Sequence, residues 1–138
     1  MKVLADTSVW SLALRRREQT QTADKLAELI LSSSIVLIGP VRQELLSGIS
    51  NNDSFLKLKS KLEAFDDFTI TTHDYETAAE FYNICRKNGV QGSHTDFLIC
   101  AVAHNNDLLI FTTDKDFEGF ANYLPIRLLN LHAQVSVT

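Results

Sequence analysis

Short apolar runs alternate with longer amphipathic stretches along this sequence, and that alternation limits the possible folds more than any other feature. The short runs predict strands, and the longer stretches have the spacing of apolar residues that is typical of helices. Because no tight hairpin signal separates consecutive strands, parallel strands joined by helices are favoured. We therefore expect a three-layer α/β/α sandwich around a parallel sheet.

The alternation repeats about five times, which places the expected elements along the chain. Strands are predicted at residues 2–5, 35–38, 68–71, 108–111 and 126–129. Helices are predicted at residues 9–17, 22–31, 41–46, 53–65, 73–87, 97–103 and 117–123. Residues 1–131 should form one domain, and residues 132–138 a C-terminal tail.

The composition, 45% hydrophobic and 22% charged, is that of an ordinary globular domain. A net charge of −4 argues against a polyanion binder held by overall charge, although carboxylates that hold a metal ion would count towards that charge. Cys85 and Cys100 lie in apolar helical surroundings without a metal-ligand spacing, so reduced, buried thiols are expected. The start of the chain has no signal-peptide pattern and no run is long enough to span a bilayer, which predicts a cytoplasmic protein without a membrane partner.

Four acidic residues stand where predicted elements begin or end: three follow predicted strands, and one opens the buried helix. They are Asp6 after the first strand, Glu44 after the second, Asp96 at the start of the buried helix, and Asp114 after a later strand. If the strands are parallel, these acids meet at one edge of the sheet, where open α/β sheets bind ligands. Carboxylates that crowd together repel unless they are protonated, solvated or neutralised by a cation, and oxygen ligands select hard ions such as Mg²⁺ or Mn²⁺.

Four segments resemble the motifs of PIN-domain ribonucleases: DTSVW at 6–10, PVRQELLSG at 40–48, TDFLICAVA at 95–103 and FTTDKDF at 111–117. Within that group, the sequence is similar to the VapC-type toxins of bacterial type II toxin–antitoxin systems. No single motif is specific, but four in this order and spacing, over nearly the whole chain, are a strong signal.

The resemblance implies a five-stranded parallel sheet and an endoribonuclease that depends on Mg²⁺, with Mn²⁺ possible. It implies a catalytic acidic quartet of Asp6, Glu44, Asp96 and Asp114, and a metal ion held by Asp6, Asp96 and Asp114. Supporting roles are implied for Ser8, Thr112 and Asp116. It further implies an RNA substrate, a homodimer, and neutralisation by a VapB-type antitoxin whose tail enters the acidic groove.

Each of these residues also has a structural interpretation. Asp96 could only complement a helix dipole, Asp6 and Asp114 could only cap turns after strands, and an exposed helical Glu44 needs no explanation. Lys115 and Arg15 are candidates for contacts with RNA phosphates, although a solvated basic helix end accounts for the arginine run at 15–17 equally well.

Three functions are therefore compared. In the endoribonuclease, activated water attacks the phosphorus in line and leaves 5′-phosphate and 3′-hydroxyl ends. A phosphatase with an aspartyl nucleophile at Asp6 would want a general acid two residues later, where Ser8 stands. A non-catalytic module could instead dock a basic partner on the acidic edge. No GxSxG segment supports a serine hydrolase.

Overall fold

The centre of the protein is a small parallel sheet, as described in a computed structural model that covers residues 1–14 and 20–131. The strands are β1 (Val3–Ala5), β2 (Ile35–Val36) and β3 (Leu109–Phe111), in the order β2-β1-β3. Leu4 pairs with Val36 on one side and with Ile110 on the other, both in parallel. The predicted α/β fold with a parallel sheet is confirmed.

The expected number of five strands is wrong, because the described residues contain three. The two outer segments each make one isolated parallel bridge instead, Leu37 with Asp67 and Ile110 with Leu128. Each outer segment has a neighbour on one side only, and the first of them soon leaves the sheet: the Thr71 amide donates to the Asp74 side chain at the start of a helix. An edge segment with so few ladder hydrogen bonds keeps the parallel direction without a regular strand.

Seven helices surround the sheet in the described part of the chain. They are α1 (Thr7–Leu14), α2 (Gln21–Leu31), α3 (Gly39–Leu46), α4 (Asn52–Leu62), α5 (Thr72–Lys87), α6 (His94–Asn105) and α7 (Asp116–Ala121). All seven predicted helices are confirmed, with ends displaced by up to three residues. The predicted end of α1 at residues 15–17 and the predicted tail at 132–138 lie outside the described residues.

Capping side chains begin several of these helices. Thr71 and Ser93 each form a capping box, with Asp74 and Asp96 respectively. The backbone amides of the first turn have no carbonyl partner within the helix, and these side chains accept hydrogen bonds from some of them. Both acids stand three residues after the cap. The acid at position 96 thus has a structural task whatever else it does.

The core is densest around α6, which packs against α5 and β3. Every residue from 97 to 103 is buried, which confirms the prediction of a buried helix there. Cys85 and Cys100 are buried, free thiols, and burial raises the pKa of both. No described helix has both the length and the apolar character that crossing a bilayer would need.

This topology decides where the chain can build a site. Since the three strands run in parallel, their carboxyl ends lie at the same edge of the sheet. Asp6 directly follows β1 and Thr112 directly follows β3. Helix α3 begins three residues after β2 and carries Glu44. We call this edge, with Asp6, Glu44, Asp96 and Asp114, the acidic edge.

Candidate functional site

Asp6 is the most buried member of the acidic edge, at 5% exposure. Two hydroxyl groups hold its carboxylate: Ser8 Oγ donates to Oδ1 at 2.5 Å, and Thr112 Oγ1 donates to Oδ2 at 2.7 Å. The Val9 amide also donates to Oδ1, at 3.4 Å. A carboxylate held on both oxygens has a fixed orientation, which suits a residue that must present negative charge in one direction.

Thr112 joins Asp6 to Asp114. Its Oγ1 accepts a hydrogen bond from the Asp114 amide at 2.9 Å while it donates to Asp6. Ser8 has a similar double contact, because its Oγ accepts from the Thr113 amide at 3.1 Å. The loop after β3 is therefore tied to the loop after β1 through two hydroxyl groups, whose roles in supporting the acids remain a prediction.

Asp96 lies in the first turn of α6 and is half-buried. Its Oδ2 accepts from the Ser93 amide at 3.0 Å, and its own amide donates to Ser93 Oγ at 3.1 Å. Asp96 thus has a structural role beyond the expected complement to a helix dipole, since it closes a capping box with Ser93. Its Oδ1 accepts no hydrogen bond from any described residue.

Glu44 is exposed on α3, and among the described residues its side chain has one hydrogen-bond contact, with the residue that follows Asp6. Thr7 Oγ1 donates to Glu44 Oε2 at 3.0 Å. This hydrogen bond links the first residue of α1 to α3, two helices that pack against each other. This partner could not be predicted from the sequence, because residue spacing does not reveal which surface of one helix will pack against another.

The electrostatics indicate that the four acids lie close enough to influence one another. Burial raises the pKa of Asp6 above its ordinary value and the charge on Asp114 raises it further, against hydrogen bonds from Ser8, Thr112 and Val9 that lower it. Burial also raises the pKa of Asp96, hydrogen bonding with Ser93 lowers it, and the charges on Asp114 and Glu44 raise it. Each acid therefore repels at least one of the others.

No basic side chain within the described ranges offsets this repulsion. The ion pairs found there are Lys25–Glu28, Arg42–Asp67 and Arg127–Asp107, none of which includes a member of the acidic edge. A bound divalent ion would neutralise carboxylates that repel one another and have no cation of the protein as a partner. Their oxygen-only chemistry is that preferred by Mg²⁺ and Mn²⁺.

The side-chain positions themselves do not yet form a closed metal site. Across residues 1–14 and 20–131, no group of three or more His, Cys, Asp or Glu side chains is arranged so that it could hold a metal ion. Donors of the protein already contact both carboxylate oxygens of Asp6, and one carboxylate oxygen each of Glu44, Asp96 and Asp114. The donor chemistry fits a hard divalent cation, and the side chains would have to close around it.

The remaining candidates differ in what their side chains do. The Asp116 amide donates to Asp114 Oδ1 at 2.9 Å, so its contact with the acidic edge is made by the backbone and not by its exposed carboxylate. Lys115 is exposed beside these acids and forms no ion pair with any described residue. Arg15 lies outside the described residues. Ser93 was missed, although a serine three residues before an acid is the sequence signal of a capping box.

Comparisons with known proteins agree with this architecture. The family model described as "PIN domain" matches residues 3–123. Comparison with curated proteins gives no match. Among solved structures, FitAcB from Neisseria gonorrhoeae is 22% identical with a TM-score of 0.76, covering 95% of this chain and 99% of that one. VapBC from Salmonella typhimurium, bound to DNA, is 13% identical with a TM-score of 0.77, covering 95% and 98%.

A third structure, VapBC2 from Rickettsia felis bound to a DNA fragment from its promoter, is 17% identical with a TM-score of 0.76. It covers 94% of this chain and 98% of that one. At these identities the structural matches establish the fold, and the family model establishes the family. The chain belongs to the PIN-domain family.

Proposed function

We propose that this PIN domain is a metal-dependent endoribonuclease and the toxin of a toxin–antitoxin pair. The observation that carries the proposal is the acidic edge: acids 108 residues apart in sequence are brought together, repel one another and have no basic partner among the described residues. A structural role for each acid alone does not explain why they are gathered. Phosphodiester hydrolysis with a hard divalent cation does.

In this proposal Asp6, Asp96 and Asp114 hold Mg²⁺ or Mn²⁺, and Glu44 positions the ion or the attacking water. When bound, the cation would make water a nucleophile at neutral pH and supply positive charge to the scissile phosphate. The tasks of the protein are orientation and charge. Ser8 and Thr112 keep the Asp6 carboxylate fixed through the hydrogen bonds described above, and the Asp116 amide does the same for one oxygen of Asp114.

Substrate contacts would come from basic groups beside the acids. Lys115 lies between Asp114 and Asp116 and its exposed ammonium group is available to an RNA phosphate; Arg15 is proposed for the same task on sequence grounds. Because water and not the ribose 2′-hydroxyl is the nucleophile, the products should carry 5′-phosphate and 3′-hydroxyl ends.

The proposed biological setting follows the solved structures with the same fold. Several of them are described as VapBC or FitAB assemblies, and some are bound to DNA. We propose that a VapB-type antitoxin neutralises this chain, with a basic tail segment at the acidic edge, and that the chain works as a cytoplasmic homodimer. Electrostatic attraction between that tail and four carboxylates would favour the contact.

The test is RNA cleavage by the purified chain, with end-labelled single-stranded RNA, in Mg²⁺, in Mn²⁺ and in EDTA. We expect cleavage with either ion, none in EDTA, and 5′-phosphate ends. Asp114→Asn should lower the rate by more than about 100-fold, beyond what loss of an outer-shell partner usually costs.

Asp116→Asn is the matched control, because it makes the same charge change two residues away while its amide still donates to Asp114. It should retain most of the activity. Cleavage that persists in EDTA, or equal losses in the two variants, would contradict the proposal. In cells, expression should arrest growth, and co-expression of a small protein encoded by the adjacent gene should relieve the arrest.

A further inference from the structure

We propose that Thr7 is a positioning residue for Glu44, and that its hydroxyl group thereby sets how strongly the acidic edge binds a divalent cation. The inference rests on the proposed function and adds a residue to it. Thr7 lies within the first motif, at residues 6–10, but no role at the site was predicted for it. It is neither an acid nor one of the hydroxyl-bearing residues that contact Asp6.

The contact that carries the inference joins distant parts of the chain. Thr7 is the first residue of α1 and half-buried, and its Oγ1 donates to Glu44 Oε2 at 3.0 Å across 37 residues of sequence. Helix α1 follows β1 and Asp6 without an intervening loop. The hydrogen bond therefore fastens Glu44 to the residue next to the most buried acid of the site.

Glu44 needs such a contact more than the other three acids do. Its side chain has three rotatable bonds and is exposed, and no other described residue makes a hydrogen bond or an ion pair with it. Asp6, Asp96 and Asp114, by contrast, have shorter side chains, and each accepts a hydrogen bond from a residue two or three positions away in sequence. Without Thr7, the Glu44 carboxylate would be distributed among several rotamers.

The position that Thr7 gives to Glu44 is one that matters to the site. The charge on Glu44 acts on the Asp96 carboxyl, so the carboxylate lies near the metal-holding acids in the orientation that Thr7 stabilises. Two consecutive hydroxyl groups thus serve two different acids: Ser8 donates to Asp6 and Thr7 donates to Glu44. Glu44 Oε1 accepts no hydrogen bond from the described residues and stays available to a cation or its water.

The experiment is a double-mutant cycle on Mn²⁺ affinity, measured by electron paramagnetic resonance with the full chain. The variants are Thr7→Val, Thr7→Ser, Glu44→Ala and the combination of Thr7→Val with Glu44→Ala. Thr7→Val, which keeps the shape and removes the hydroxyl, should weaken Mn²⁺ binding by about 10-fold, the lower end for loss of an outer-shell partner. Thr7→Ser keeps the donor and should bind as tightly as wild type.

The double variant separates positioning from a general structural effect. If Thr7 acts through Glu44, Thr7→Val should cause no further loss once Glu44 is alanine. An equal loss of Mn²⁺ affinity with Glu44 present and with Glu44→Ala, or an unchanged affinity in Thr7→Val, would overturn the inference. Mn²⁺ binding by wild type would still support the proposed metal site in that case. Absence of Mn²⁺ binding by wild type would overturn the proposed function and this inference together. Thermal unfolding in EDTA checks that each variant is folded.

Discussion

Replacing Asp96 with Asn should leave the metal-free protein at least as stable as wild type, whereas the same replacement at Asp74 should destabilise it. The two residues are structurally matched: each is the acid of a capping box, three residues after its cap. Their surroundings differ. Asp74 is 2% exposed and accepts a hydrogen bond from Asn105 Nδ2 at 2.9 Å, while Asp96 faces the charges of Asp114 and Glu44.

The magnitudes follow from these contacts. The side-chain oxygen of Asn at position 96 can still accept the hydrogen bond from the Ser93 amide, so the capping box is kept. Asn carries no charge, so the cost of burying a charge and the repulsion from Asp114 and Glu44 both disappear. For a partly exposed group, we expect the free energy of unfolding to rise by about 0–1 kcal/mol. Asn at position 74 places an amide NH₂ against a donor in a buried site, which costs about 1–3 kcal/mol.

The assay is thermal unfolding in EDTA at pH 7, combined with RNA cleavage in Mg²⁺. At about 3 °C per kcal/mol for a domain of this size, Asp74→Asn should lower Tm by roughly 3–9 °C, and Asp96→Asn should hold or raise it. Activity should show the opposite pattern: Asp74→Asn cleaves RNA below its own Tm, and Asp96→Asn does not.

One result would refute the reasoning directly. If Asp96→Asn lowers Tm as much as Asp74→Asn does, the carboxylate at position 96 is needed for the fold and the repulsion inferred at the acidic edge is absent. If Asp96→Asn also cleaves RNA at the wild-type rate, the residue is a helix cap and nothing more.

Three further predictions concern packing, thiol reactivity and pH. A Cβ at Gly92 would lie 2.6 Å from Phe120 Cζ, so Gly92→Ala should lower the free energy of unfolding in urea by about 1–3 kcal/mol. Gly119→Ala is the control: a Cβ there would have no atom within 4 Å, so the substitution should be neutral or stabilising. Cys100 is fully buried and its pKa is raised, so a thiol reagent should modify it only in denaturant; rapid labelling of the native protein would contradict its placement. The pKa of Asp6 is raised in the folded state, so the protonated carboxyl group stabilises the fold. This contribution to the free energy of unfolding is complete below about pH 4 and is lost as pH rises through the pKa of the folded state. In EDTA, wild type should lose stability over that interval, and Asp6→Asn, which has no carboxyl group, should lose less.

The sequence was sufficient for the elements that are long or buried on both sides. The three central strands and all seven helices follow from apolar periodicity, because the spacing of apolar residues in these segments matches the face that each one buries. The outer segments at 68–71 and 126–129 were wrong as strands. Their apolar residues are real, but edge pairing on one side and competition from a helix cap at Thr71 decide the backbone, and periodicity does not report either effect.

The site divides in the same way. Asp6 and Asp114 were predicted from their places after parallel strands, whereas Ser8 and Thr112 were predicted from the family resemblance alone. The contacts among these four residues arise at the ends of adjacent parallel strands. The hydrogen bond from Thr7 to Glu44 depends on how two helices pack, which no local pattern encodes. The supporting role of Asp116 stays a prediction; its contact with Asp114 is made by the backbone amide and not by the carboxylate.

The pairing of β1 with β3 also bears on when this protein becomes able to act. The strand that precedes Asp6 lies near the start of the chain, yet its neighbour at Leu109–Phe111 is synthesised more than a hundred residues later. Thr112, which fixes the second oxygen of Asp6, follows later still. A ribosome-bound chain that ends before Thr112 cannot assemble the acidic edge, so the proposed site forms only after most of the chain has been synthesised.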